Sequence, residues 1–269
     1  MGGKPVLWPR QCVGYALARA ASRQVGLSEA SEIAAEAFRT WQSVTCPGTN
    51  APPSITATDA FGPTDCGESR YDPGGPNANA IIFHDDEWPY PELSDAVALT
   101  KTHFDEATGH IVDSDIEIDA TLPLSTSDAV PPKSYDLLSV LTHEAGHFFG
   151  LAHSYQSGSA MQPSYRPGSD DQRMLGDDDI AGICAIYPPD RVALPCDPAP
   201  RGGFQSECST VEATGGCSVS TRASGSRSLS PLVPLLAFAS RRRRGQRPRF
   251  RAATSAPGRQ RRPGISYRR

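Results

Sequence analysis

Two histidines four residues apart, His143 and His147, enclose a glutamate at Glu144, and nothing else in the chain carries as much chemistry. On a helix, positions four apart share a face, one turn above the other, so two neutral imidazoles there can grip one small cation. Glu144 stands one step round the helix, able to reach a water on that cation without binding it. This is the H-E-x-x-H pattern of two Zn²⁺ ligands and a general base. Gly150 supplies the left-handed residue that ends such a helix, and His153 follows three residues later, able to return to the same metal. Three imidazoles leave the fourth corner of a tetrahedral zinc site open to water, which is the catalytic pattern rather than the closed structural one. The predicted chemistry is hydrolysis: zinc lowers the pKa of its water towards ~7, and Glu144 takes the proton as the water attacks a polarised carbonyl. The competing reading is an apolar helix whose histidines face solvent by chance. It leaves the spacing of Gly150 and His153 without a cause.

The run from His143 to His153 resembles the zinc site of the metzincin metalloproteases, H-E-x-x-H-x-x-G-x-x-H followed by a Met-turn. Ser159-Ala160-Met161-Gln162-Pro163 lies downstream, and Met161 matches the Met-turn residue, which packs under the metal without binding it. Ser154 directly after His153, and Met161 eight residues after it, resemble the matrixin branch. Pro163-Ser164-Tyr165 resembles the matrixin P-x-Y segment, which implies that Pro163 and Tyr165 wall the pocket for the residue after the scissile bond. The resemblance implies an α+β fold: a twisted mixed sheet packed on a first helix and on the zinc-binding helix, with a C-terminal helix behind. It also implies protein or peptide substrates and one catalytic zinc. A second, structural zinc and calcium occur in vertebrate matrixins, but their His- and Gly-rich loop is not recognisable here. His84-Asp85-Asp86-Glu87 has oxygens for calcium, yet a solvated acidic turn is commoner, so calcium is not predicted.

These residues must be held by a folded body, and the composition provides for one. The chain has 269 residues, 38% of them hydrophobic. Its net charge of −4 conceals an asymmetry: all 30 acidic residues and 12 of the 26 Lys and Arg precede Ser218, and the other 14 basic residues follow it. An acidic body with a basic tail argues against specific nucleic-acid binding by the folded part.

Along the chain, Cys12 to Ala18 reads as a first strand and Ser28 to Val44 as a helix. Ser28 is the expected cap, and Ile33, Ala37, Phe38 and Trp41 share a face. The segment Ala37 to Trp41 resembles the first matrixin helix, so its aromatic residues belong to the core. Thr49 to Gly75 is Pro- and Gly-rich loop with a strand near Ile55. Strands are predicted at Asn79 to His84, Ala96 to Phe104 and His110 to Ile118, with Asp105 to Gly109 as a turn. The last strand puts Ile111, Asp113, Asp115 and Glu117 on one face. Pro131-Pro132 breaks the chain before the zinc helix, with Ser134 as its expected cap and Leu137, Leu138, Leu141, Ala145 and Phe148 as its buried stripe. Leu175 to Ile183 resembles the matrixin C-terminal helix, with Asp178 and Asp179 suited to its positive end. Pro188-Pro189 closes the domain.

Three regions are therefore predicted: a protease-like domain over 1–189, a Cys-containing linker over 190–216, and a tail over 217–269. The tail carries Cys217, an eleven-residue apolar run from Leu229 to Ala239 interrupted by Pro234, and Arg241 to Arg244. This resembles the tripartite sorting tail of exported myxobacterial proteins, which implies anchoring at the membrane or cell surface near Cys217. The run falls short of the ~20 residues a helix needs to span a bilayer, and a disordered basic tail is the alternative. The seven cysteines contain no C-x-x-C pair and fit disulfides in an oxidising compartment. The expected pairs are Cys46 with Cys66, Cys12 with Cys184 and Cys196 with Cys208, leaving Cys217 single. Pro9-Arg10-Gln11-Cys12 also invites comparison with the matrixin cysteine switch, but a structural disulfide is preferred. Residues 1–7 hold no apolar stretch, so secretion predicts a leader upstream of the given start. The functional expectation is a monomeric, exported zinc endopeptidase. Its rival is a zinc-stabilised adhesion module that binds peptides without cutting them, which would need Glu144 missing or the fourth zinc corner filled.

Overall fold

The computed structural model describes residues 4–208, so Cys217 and the whole predicted tail lie outside the described residues. Five strands form the main sheet: β1 (Cys12–Leu17), β2 (Thr56–Asp59), β3 (Ala80–His84), β4 (Ala98–Phe104) and β5 (Ile111–Asp119). They lie in the order β2-β1-β3-β5-β4. All neighbours are parallel except β4 and β5, which pair antiparallel with Thr100 opposite Ile116. The mixed sheet and the three helices, α1 (Leu27–Gln42), α2 (Leu137–Phe148) and α3 (Asp177–Ile186), give the expected α+β architecture. The parallel pair β6 (Leu124–Ser125) and β7 (Tyr135–Asp136) leads into α2.

One core lies between the sheet and helices α1 and α2. Tyr15 of β1 stacks on Phe38 of α1 at 4.3 Å between ring centroids, and Phe38 meets Phe148 of α2 edge-on at 5.0 Å. The expected stripe of α2 is buried at Leu137, Leu141, Ala145 and Phe148, while Leu138 is half-buried and Val140 joins the core. Helix ends leave carbonyls without intrahelical partners. Here the Trp8 indole donates to Phe148 O (2.8 Å) and the Tyr187 hydroxyl to Phe149 O (2.7 Å). Two predicted caps are corrected. Helix α1 begins after Gly26 with no side-chain cap, so Ser28 lies inside its first turn. Helix α2 is capped by Asp136, whose carboxylate accepts from Ser139 N at 2.9 Å, rather than by Ser134. The Arg173 guanidinium holds that carboxylate from both sides at 2.8 and 2.7 Å, a long-range contact that local spacing does not announce.

All three predicted disulfide pairs are wrong. The structure joins Cys12 to Cys196, Cys46 to Cys184 and Cys66 to Cys208, over separations of 184, 138 and 142 residues. Cysteine spacing does not encode the connectivity, because the fold brings together residues far apart in the chain. Cys12 is committed to a bridge and so cannot serve as a cysteine switch. Residues 190–208, read as linker, instead run as a strap against β1 and the neighbouring loops. Leu194 bridges Arg10, Phe204 bridges Asn77, and Gly14 N donates to Pro198 O at 2.8 Å. A Cβ on Gly14 would stand 2.5 Å from that same oxygen, so the strap requires glycine there.

The acidic face of β5 is not a solvent face. Segments on both sides of β3 reach it, Arg70 N bonding Asp115 and the Tyr90 hydroxyl bonding Glu117, and Asp113, Asp115 and Glu117 are all buried. Glu117 accepts from His84 Nε2 and the Tyr90 hydroxyl, both at 2.5 Å, and pairs with Lys101 at 3.1 Å. Burial alone would raise its pKa, but these donors, His84 foremost, hold it down at about 2. Asp115 accepts from Ala80 N and Arg70 N at 2.6 and 3.0 Å, yet burial raises its pKa. Among the described residues both Asp113 oxygens lack a protein partner, and burial followed by the charge of Asp115 pushes its pKa well up. Between the ordinary value of ~3.9 and the raised folded-state value, the unfolded chain has released this proton while the folded chain keeps it. Stability therefore falls as pH rises across that window. Asp113→Asn, which cannot ionise, is expected to melt higher than the parent at pH 8, the gap closing towards pH 4. Thermal melts across that range check this; a gap that does not change with pH would contradict it.

Candidate active site

Helix α2 carries His143 and His147 on one face, and the chain turns back at Gly150 with φ +97°. A Cβ at 150 would lie 2.2 Å from Val6 O, so conformation and space both select glycine. The turn returns His153 to the other two. Ring centroids stand 4.8 Å apart for His143 and His147, 5.2 Å for His143 and His153, and 4.7 Å for His147 and His153. One ring nitrogen from each lies within 4.8 Å of the others, the only cluster of three or more His, Cys, Asp or Glu so disposed among the described residues.

The donor set fits a zinc ion. His143 Nδ1 is 2.7 Å from Ala160 O and His147 Nδ1 is 2.9 Å from Leu151 O. A carbonyl can only accept, so each Nδ1 carries a proton and each Nε2 is left with a lone pair for a metal. Burial lowers the pKa of His143, and burial followed by the nearby His147 lowers that of His153; both shifts favour the neutral ligand form. The Gln172 amide donates to Ala160 O (3.0 Å) and Gln162 O (3.0 Å), bracing the carbonyl that orients His143.

Met161 is buried under α2. A Cβ at Gly146 would stand 2.2 Å from Met161 Sδ and 2.7 Å from the Trp41 ring, so the methionine packs into the gap that glycine leaves between the two helical histidines. Asp179, at the start of α3, fastens this turn. Its carboxylate accepts from the Ser159 hydroxyl (2.5 Å), Ala160 N (2.6 Å) and Gly176 N (2.8 Å). Asp178 accepts from the Ser154 hydroxyl at 2.6 Å, directly after the third histidine. Asp178 and Asp179 of the acidic triplet thus make structural contacts, as their position at a helix start suggests.

A cleft of about 570 Å³ opens over the histidines, bounded by β4 on one side and by Pro163 and Tyr165 on the other. Tyr165 also lines a second cavity of about 330 Å³ behind it, with Ser139, Val140 and Gln172. The sequence reading placed Tyr165 only as a wall. In the structure its hydroxyl also donates to Glu144 Oε1 at 2.6 Å, and burial beside that carboxylate pushes the phenol pKa well above its ordinary range. Glu144 is itself buried, and its other oxygen accepts from Thr100 Oγ1 at 2.6 Å. The sequence reading missed Thr100. Strand alternation separates it from Leu99, but contact with a helix 44 residues away has no local signature.

A zinc-ligand helix followed by a third histidine, a methionine turn under it and an antiparallel edge strand above it define a metzincin-type metalloprotease domain. The comparisons narrow the class: residues 73–188 match the family model for Matrixin, so the domain is matrixin-like. Over 190 residues the chain is 30% identical to metalloendoproteinase 1-MMP of Arabidopsis thaliana, covering 70% of this chain and 46% of that protein. It is 51% identical over 57 residues to interstitial collagenase of Bos taurus, covering 21% of this chain and 12% of that protein. Over 66 residues it is 42% identical to matrix metalloproteinase-16 of Homo sapiens, covering 24% and 11%. The chain thus spans less than half the length of these curated relatives.

Proposed function

We propose that this chain is a zinc-dependent endopeptidase that hydrolyses peptide bonds in proteins, with His143, His147 and His153 holding one catalytic ion. The observation that carries the reading is the convergence of three imidazoles, two of them oriented by backbone carbonyls, beside a buried carboxylate in an open cleft. Zinc bound there supplies Lewis-acid polarisation of the scissile carbonyl and makes water more acidic. Glu144 accepts the proton of the attacking water and returns it to the departing amine. Strand β4 lies at the end of the sheet order, so the backbone groups of its outer edge are free to pair with an extended substrate. Pro163 and Tyr165 wall the pocket for the side chain after the cleaved bond, and Met161 supports the floor.

Protein or peptide substrates, a monomeric state and an exported location complete the proposal, with residues 1–189 carrying the chemistry. The three disulfides fit an oxidising compartment. Among the described residues no helix is long and apolar enough to cross a membrane, and the anchoring role is proposed for the tail from Cys217 onward. The direct test is digestion of casein by the purified chain. Cleavage that a chelator stops and added zinc restores supports the reading. A zinc-loaded chain that leaves casein intact overturns it.

A further inference from the structure

We propose that Thr100 is a positioning residue for the general base, fixing the Glu144 carboxylate from the strand on which the substrate lies. This rests on the protease reading. Glu144 is 2% exposed, and a buried carboxylate needs donors on its oxygens. Tyr165 serves Oε1 and Thr100 serves Oε2, each at 2.6 Å. Thr100 Oγ1 also lies 3.3 Å from the Glu144 carbonyl, but its single proton goes to the nearer and charged acceptor. Threonine is well suited to the task. Its branched Cβ restricts χ1, so the hydroxyl is aimed before substrate arrives.

The two anchors come from separate elements. Tyr165 belongs to the wall after the Met-turn, whereas Thr100 is held in β4 opposite Ile116 of β5. The sheet thereby sets the rotation of the carboxylate on α2, and the base has the same reference frame as the bound peptide. Pre-orientation of this kind acts on the chemical step more than on binding.

The test compares Thr100→Val, of nearly the same shape, with Thr100→Ser, which keeps the hydroxyl. In the zinc-loaded chain, valine should lower kcat roughly ten- to a hundredfold, the effect of losing a hydrogen bond to a charged group, with KM and zinc content near parental values. Serine should recover most of the loss. Parental kcat in the valine variant overturns the proposal, as does a serine variant no better than valine. A second readout needs no activity. Thr100→Val should lower the melting temperature of the zinc-free chain when Glu144 is present and leave it unchanged in a Glu144→Ala background; equal shifts in both overturn the clamp. If the parent cleaves nothing, the protease reading fails by itself, and this melting cycle still decides whether Thr100 holds Glu144.

Discussion

Glu144→Ala is expected to leave zinc content unchanged and to reduce peptide hydrolysis by about 10²–10⁴-fold, the usual weight of a general base. The two effects separate because Glu144 stands outside the trio of imidazoles that can hold the metal. Histidine orientation should survive as well, since His143 and His147 are fixed by the backbone carbonyls of Ala160 and Leu151. The loss should fall on kcat rather than KM, because the proton is transferred only as the bond reacts. Steady-state kinetics on a fluorogenic peptide, with metal analysis of the same samples, checks both. Equal turnover by mutant and parent would remove Glu144 from the mechanism.

The second large effect is structural. Asp179→Ala strips the acceptor from Ala160 N and the Ser159 hydroxyl at the methionine turn and from Gly176 N at the start of α3. Asp179 is 1% exposed, so solvent does not readily replace the lost carboxylate. Orphaning buried donors of this kind costs about 3–5 kcal/mol. For a domain of this size that corresponds to a melting temperature lower by ~6–20 °C. Zinc affinity should fall in parallel, because Ala160 also supplies the carbonyl that orients His143. Calorimetry with and without zinc measures both. A melting temperature within two degrees or so of the parent would show that α3 does not fasten the turn.

What the sequence disclosed and what it withheld divide along physical lines. The three histidines, Glu144 and the glycine turn were legible because their spacing is local: helical periodicity and one left-handed residue bring them together. Met161 could be placed through its resemblance to a known turn, but the need for glycine at 146, on the helix above it, lies in the methionine sulfur and the Trp41 ring that fill that space. The disulfides were illegible because every partner lies more than a hundred residues away. The strap over 190–208 read as linker for a related reason. It has no periodicity of its own and is fixed by bridges to Arg10 and Asn77. On β5 the grouping of Asp113, Asp115 and Glu117 on one face holds, whereas Ile111 lies beyond a register shift and packs in the core with Ile116 and Ile118; the burial of the acidic face was not legible because the loops that cover it are irregular. Thr100 belongs with these long-range cases.

An open catalytic site is defined by the metal's own coordination shell. X-ray absorption at the zinc edge of the purified, zinc-loaded chain should show three imidazole nitrogens at about 2.0–2.1 Å and one oxygen from solvent. Replacing His153 with alanine should reduce the nitrogen count to two. Four protein ligands around the ion, or an unchanged shell after loss of His153, would contradict the assignment of an open catalytic site to this trio.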